Sequence, residues 1–357
     1  MLCRRSQHLL RPFFRWRIYL MKGSESMLLA KDKEGSIFLA TDATKECDYY
    51  CPNCGNQVFL KRGMKRIAHF SHHDTSDCQV FSEAESEEHL NLKRQCFRWL
   101  KKSYPRVEME GYLSQLMQRP DILVGHHVFE IQCSPLSYER MIERTINYKA
   151  NGYVVWWLLG MKFFKRKDRL RLEKKFCYYD DLRQLHFWQI DWSTQKVYLY
   201  SQIFTDLSGK IRFEQSSWSF FEKELLTILE VESGSLRKIP SPSSVKTKDW
   251  LAKQIIRKNK KVLGVQEQCY LRKEHVLYLE SWIYEGSDFF CFFSEQVFFY
   301  RLLFSQMKCK ENDKKTSSFD KWYQEIKEYK NEWLFPLIDE QKIYRLFYEE
   351  CKRFVQK

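Results

Sequence analysis

The feature that most constrains the fold is Gly125-His126, a two-residue linkage between the runs Arg119 to Val124 and His127 to Cys133. Gly in the first central position is the preference of a type II′ turn, whose twist matches that of flanking strands. So short a loop also sets the register. It brings Asp121 opposite Glu130, Arg119 opposite Gln132, Ile122 opposite Phe129 and Pro120 opposite Ile131. Because successive strand residues face opposite sides, one face of this hairpin is apolar. The other carries Asp121 and Glu130, with roughly 5 Å between their Cβ atoms.

Two like charges opposed across strands destabilise a sheet, and an ordinary surface hairpin avoids the arrangement. A divalent Mg²⁺ or Mn²⁺ ion removes the penalty, since such ions take oxygen ligands from one or two carboxylates and keep positions for water and phosphate. There it would polarise a phosphodiester and acidify the attacking water. The competing reading is a pair of acids on a solvated face.

The flanking segments favour the metal. Glu83 to Lys102 reads as a helix with Ser82 as N-cap, a stripe of Leu90, Phe97 and Leu100, and Pro105 beyond its end. On it Glu85, His89 and Lys93 recur at intervals of four, with Glu88 beside them. Short β runs follow at Arg106 to Leu113, Arg119 to Val124 and His127 to Cys133. A second helix, about Leu136 to Lys149, is opened by Ser134-Pro135 and closed by Asn151-Gly152. Arg144 and Tyr148 share one of its faces, suited to a phosphate and an adjacent ring. Tyr153 to Leu159 is an unbroken apolar strand. The order is α-β-β-β-α-β.

Upstream, Met27-Leu-Leu-Ala and Ser36-Ile-Phe-Leu-Ala, split by a charged Gly-containing turn, read as a hairpin. Cys51 and Cys54 then form a Cys-Pro-Asn-Cys knuckle, with His69, His72 and Cys78 following. Four of these five would hold a structural zinc ion in tetrahedral geometry. His69 with His72, or either with Cys78, completes the set. Lys61, Arg62, Lys65 and Arg66 lie between the ligand pairs, as phosphate contacts or a solvated face. Downstream of the α-β-β-β-α-β order, strands are expected at Lys196 to Tyr200 and Ile211 to Phe213, a Ser/Pro/Lys-rich linker over 233–248, and helices rich in aromatics beyond Asp249.

Composition narrows the partners. A balance of 60 Lys+Arg against 46 Asp+Glu leaves +14, which favours a polyanion. The twelve cysteines, mostly isolated in apolar stretches, suit one metal site in a reducing compartment rather than a disulfide framework. The greasiest run, Phe289 to Phe304, is broken by Glu295 and Arg301 and too short to span a bilayer.

Taken together, Cys51-Pro-Asn-Cys54, His69-Phe-Ser-His72, Glu85 to Lys93, Pro120-Asp121, Glu130-Ile-Gln132, Arg144 and Tyr148 resemble the competence protein CoiA family, whose central domain is similar to PD-(D/E)xK nucleases. The likeness covers residues 27 to about 160 specifically. It implies a mixed α/β (α+β) fold: a restriction-endonuclease-like αβββαβ core, an N-terminal zinc-binding β module and a mainly α-helical C-terminal domain. It also implies a cytoplasmic bacterial factor of natural transformation that acts on incoming single-stranded DNA, alone or with a recombinase or other transformation proteins. Asp121 and Glu130 would hold the metal, with Glu85 or Glu88 completing its shell. Gln132, where the general nuclease pattern has Lys, would orient water; an amide cannot act as a base. DNA binding with weak or no cleavage is the alternative, and a restriction-type duplex enzyme a third reading. Nothing in the sequence argues for a dimer, so a monomer is expected.

The expected domains are 27–80, 81–232 and 249–357, joined by the 233–248 linker. Residues 1–26 carry Arg4, Arg5, Arg11, Arg15 and Arg17 among Leu, Phe and Trp, in the manner of a transit peptide. The purine-rich codons that Lys22-Gly23-Ser24-Glu25 admits, just before Met27, instead suggest a translated ribosome-binding site. The native start would then be Met27, with 1–26 an over-long or disordered extension.

Overall fold

The computed structural model describes residues 26–52, 54–63, 66–72, 86–163, 173–230, 244–308 and 318–356. The expectations for residues 1–25, Ser82, Cys78, Glu85 and most of the linker lie outside them. The chain divides into two compact units, residues 1–85 and 86–357.

The first unit is an antiparallel sheet of β1 (Ser26–Met27), β2 (Leu29–Lys31), β3 (Ile37–Leu39), β4 (Tyr49–Tyr50), β5 (Gln57–Gly63) and β6 (Arg66–His72), in the order β1-β6-β5-β4-β2-β3. The expected hairpin is β2–β3, with Ala30 opposite Phe38. Its turn is held by the Asp32 carboxylate, which accepts from Glu34 N and Ser36 N at 2.9 and 2.8 Å. The core is small, with Tyr49 packed on Phe70 at 4.9 Å between ring centroids. Arg62 donates to the carbonyls of Ala40, Thr41 and Ala43. It thus ties the β3–β4 connection to β5.

The second unit opens with α1 (Glu87–Ser103), whose N-cap Ser86 accepts from His89 N. The helix therefore starts one turn later than the expected Ser82 cap, because Ser86 places Glu87 and Glu88 in the first turn, at the positive end of the helix dipole. Then come β7 (Glu108–Met109), β8 (Ile122–Val124), β9 (His127–Gln132), α2 (Tyr138–Ala150) and β10 (Val154–Leu159). This is the α-β-β-β-α-β order read from the sequence. Ser137, and not Ser134-Pro135, caps α2 by accepting from Arg140 N. β11 (Tyr178–Asp180), β12 (Gln184–Asp191), β13 (Lys196–Thr205) and β14 (Ile211–Ser219) extend the sheet, followed by α3 (Leu225–Glu230).

The sheet runs β14-β13-β12-β10-β9-β8-β7, with β11 paired to β12. β10 lies parallel to β9 and β12 and the remaining pairs are antiparallel, so the fold is mixed α/β. α1 and α3 cover one face through Leu92, Trp99 and Leu229, packed on Ile122, Phe129 and Trp188. The other face, including Val128, Trp157 and Phe187, merges with α2 and with the C-terminal helices into one continuous core. Those helices are α4 (Ser244–Ile256), α5 (Lys260–Leu271), α6 (Phe290–Phe293), α7 (Gln296–Lys308), α8 (Ser318–Lys327) and α9 (Glu340–Val355). Fully buried Arg301 of α7 binds the carbonyls of Ile283, Glu285 and Gly286 and pairs with Glu350 of α9 at 2.8 Å. No helix of the described residues is long and apolar enough to cross a membrane.

Candidate active site and metal centre

The β8–β9 hairpin pairs Ile122 with Phe129, Leu123 with Val128 and Val124 with His127, the register expected from a two-residue turn. Gly125 takes φ +57 and His126 is not left-handed, as a type II′ turn requires. Asp121 lies one residue beyond β8, where its carbonyl still accepts from Glu110 N at 3.0 Å. Its Oδ2 accepts from Ile131 N at 2.7 Å and pairs with His89 Nε2 at 3.1 Å, while Oδ1 lies 3.7 Å from Lys93 Nζ. Across the hairpin, Glu130 Oε1 accepts from Tyr148 OH at 2.6 Å and from the Arg144 guanidinium.

Each carboxylate is therefore met by basic groups from a different helix, α1 for Asp121 and α2 for Glu130. This corrects the expectation that only a divalent ion makes the pair tolerable: protein cations already offset the repulsion. The acids still feel one another. Burial pushes the Glu130 carboxyl up, and the Asp121 charge adds to this against Arg144 and Tyr148. Burial also works to raise Asp121, but His89, Lys93 and the Ile131 N–H outweigh it and hold the carboxyl below the usual range. Two acids with proton affinities driven apart are a common arrangement in active sites.

Lys93 is fully buried, and its ammonium contacts Glu110 Oε1 at 2.6 Å. Glu110 escaped the sequence reading although the run Arg106 to Leu113 contains it. The signal was the alternation of Glu108 and Glu110, but Glu110 adopts φ +52 and leaves the strand, which no periodicity announces. Glu88 Oε1 accepts from Met161 N at 2.8 Å, bracing the end of β10 against α1. Gly160 is required beside it, since a Cβ there would lie 2.6 Å from Cys133 Sγ and 3.2 Å from Glu88 Oε1. Gln132 Nε2 donates to Ser134 O at 2.8 Å. Arg119 is not in a strand opposite Gln132 as expected; instead its carbonyl accepts from Arg144 at 3.0 Å. Arg119 and Arg144 each keep a buried Nε–H without an acceptor.

The chemistry of these donors fits a hard divalent cation. Both donors to Glu130 bind Oε1, and the nearest cation to Asp121 Oδ1 is beyond hydrogen-bond length. Glu130 Oε2 and Asp121 Oδ1 are thus oxygens with no hydrogen bond among the described residues. They do not assemble a cluster of three His, Cys, Asp or Glu donors there, and Glu85 lies outside the description.

Such a cluster does occur in the first unit. Ligand atoms of Cys51, Cys54 and His72 all lie within 4.8 Å of one another, with Cys54 Sγ 3.2 Å from His72 Nε2. The knuckle folds back through Gly55 N to Cys51 O at 3.0 Å, with Gly55 at φ +74. His72 enters from β6, where burial lowers its proton affinity, and neutral imidazole is the ligand form. His69, three residues earlier on the same strand, falls on the opposite face and outside this cluster; Cys78 is outside the description. Two thiols and an imidazole are donors that suit zinc.

The profile "Competence protein CoiA, nuclease-like domain" matches residues 85–232, and "Competence protein CoiA, N-terminal domain" matches residues 38–81. The chain is 32% identical over 122 residues to Competence protein CoiA of Bacillus subtilis (strain 168), a stretch covering 33% of each chain. The match thus spans about a third of that relative's length. No solved structure matches. The two profiles together cover more than half of the 357 residues, and the chain belongs to the competence protein CoiA family.

Proposed function

We propose that this protein is a Mg²⁺- or Mn²⁺-dependent nuclease-like factor that processes single-stranded DNA in the bacterial cytoplasm during natural transformation and promotes recombination. The observation that carries the reading is the pair of oxygens, Asp121 Oδ1 and Glu130 Oε2, without hydrogen bonds among the described residues, on two carboxylates that repel one another. When bound, the ion would supply Lewis acidity to the phosphodiester and lower the pKa of the attacking water. The chain's own residues do the rest. Arg119 and Arg144 place positive charge beside the carboxylates, where it would attract phosphate oxygens. Lys93 supplies a fixed positive charge next to Asp121, the role that the Gln132 amide cannot fill. Gln132 orients water by hydrogen bonding, and Glu88 and His89 position α1 against the metal ligands. Zinc held by Cys51, Cys54, His72 and a fourth donor keeps the first unit folded.

The test is cleavage of single- and double-stranded DNA across a Mg²⁺ and Mn²⁺ titration. Wild type should cut the single strand, and Asp121→Ala should lower the rate by about a hundredfold or more while remaining folded. Equal residual activity in wild type, Asp121→Ala and Glu130→Ala would refute the assignment.

One observation favours a second reading, a DNA-binding accessory of a recombinase without turnover. Asp121 and Glu130 already have protein cations, and the Gln132 amide is engaged by Ser134. Salt-dependent binding of single strands that survives loss of both carboxylates, without cleavage, is the signature of that reading.

A further inference from the structure

The segment after the profile-matched region concentrates charge. Residues 244–273 contain nine Lys or Arg against two acids, Asp249 and Glu267. That surplus is half of the chain's net +14. Seven of the nine lie on α4, α5 and the turn between them, and Arg272 and Lys273 follow α5. Lys258 in this turn takes φ +54, and the Asn259 side chain caps α5 by accepting from Lys261 N and Val262 N. So tight a connection brings Arg257, Lys258, Lys260 and Lys261 to one tip, where all four are exposed and none forms an ion pair among the described residues.

The far end of α5, about 18 Å away, is aromatic. Tyr270 is 58% and Tyr278 77% exposed, and their rings bracket His275 at 5.5 and 4.9 Å. Lys248 of α4 lies 5.7 Å from the Tyr278 ring centroid. Glu267 interrupts the exposed face of α5 between the two ends, which separates a phosphate-holding tip from a ring-bearing end.

We propose that the α4–α5 hairpin and the Tyr270–His275–Tyr278 group form a binding surface for single-stranded nucleic acid, separate from the Asp121–Glu130 site. Unpaired lysines and arginines follow a phosphate backbone, and exposed rings stack on unpaired bases without regard to sequence. A duplex hides its base faces, so the rings distinguish a single strand from duplex DNA. The surface lies beyond both segments matched by the family profiles, and it does not depend on turnover at the carboxylates.

The test uses the full chain carrying Asp121→Ala, in EDTA, so that a failure of the cleavage reading leaves the result interpretable. Binding of a fluorescent oligothymidine and of a duplex of equal length is followed by anisotropy over a salt series. Tyr270→Ala with Tyr278→Ala should weaken oligothymidine binding about tenfold or more and leave duplex binding and the salt slope unchanged. Lys258→Glu with Lys260→Glu and Lys261→Glu should reduce the slope of log affinity on log salt by about 2 or more. All substitutions are at exposed positions, and an unchanged melting temperature verifies the fold. Undiminished oligothymidine binding in either variant would overturn the proposal. Equal losses on single strand and duplex in the tyrosine variant would overturn it as well.

Discussion

At the scale of single residues the site is governed by Lys93. Its ammonium, buried between Glu110 and Asp121, is the compensation that lets two acids sit out of water on the α1 side. Replacing it by Met keeps the volume, takes away the ion pair of Glu110 and leaves Asp121 with His89 and the Ile131 N–H. The expected loss is about 3 kcal/mol, typical of breaking a buried ion pair from one side, and urea unfolding at neutral pH measures it. The pH dependence has a definite sign. Asp121 is held below its ordinary value, so it contributes stability above the unfolded carboxylate range, and that contribution is lost as pH falls through its folded pKa. The gap between wild type and Lys93→Met should therefore narrow on acidification; a constant gap would show that Lys93 acts through packing. Glu130 has the opposite sign. Burial and the Asp121 charge raise its proton affinity, so protons and a divalent ion would compete for it. Calorimetric titration with Mn²⁺ in two buffers of different ionisation enthalpy should reveal proton release, and affinity should rise with pH until Glu130 has ionised in the free protein. An Mn²⁺ affinity that Glu130→Gln leaves unchanged would mean that Glu130 is not a ligand. Asp121, Glu130 and Arg144 were legible because turn register and helix periodicity are local rules. Glu110 was not, since its partner is across the sheet edge and its left-handed backbone breaks the strand pattern.

At the scale of elements, strand alternation determines what β6 can contribute to the metal centre. His72 reaches Cys51 and Cys54, and His69 faces the other way. His69→Ala should retain one zinc per chain and His72→Ala should lose it, as measured by chromophoric chelator release; equal zinc in both variants would remove β6 from the ligand set. A bound metal would matter because the first unit has a small core of nine buried residues, four of them Ala, and such modules gain much of their folding energy from metal. The same rule explains where sequence reading fell short. Hairpin β8–β9 announces itself through its turn and α2 through its closing Asn151-Gly152. β12 does not, because seven of its eight residues are buried, and a strand covered on both faces shows no period of two. Ser82 and Ser86 both precede acidic residues, so the sequence pattern alone offers either as the cap, and among the described residues Ser86 accepts from His89 N.

At the scale of the molecule, the C-terminal helices are the second wall of the nuclease-like sheet. Val128, Trp157 and Phe187 on the sheet share one core with Val262, Phe298, Trp322 and Phe347, and Tyr138 of α2 donates to Trp333 O at the same junction. Residues 86–232, the part of this unit within the nuclease-like match, would by themselves expose that face. Each large apolar side chain returned to water costs about 1.5–3 kcal/mol. Half a dozen of them amount to about 10 kcal/mol, comparable with the whole stability of a domain. A fragment ending at Val231 should therefore show no cooperative thermal transition and should bind a hydrophobic dye, whereas residues 86–357 should melt as one unit. A sharp transition in the short fragment, with a midpoint within a few degrees of the long one, would establish that the helices are an appendage. The expected outcome has a functional corollary. α2 contributes both Met141 and Tyr148 to the shared core, and Tyr148 with Arg144 holds Glu130, so loosening the C-terminal helices should also loosen the grip on Glu130. Substitutions in the α7–α9 core, such as Phe298→Ala, should then impair cleavage in proportion to the stability they remove, although they lie outside the matched domain.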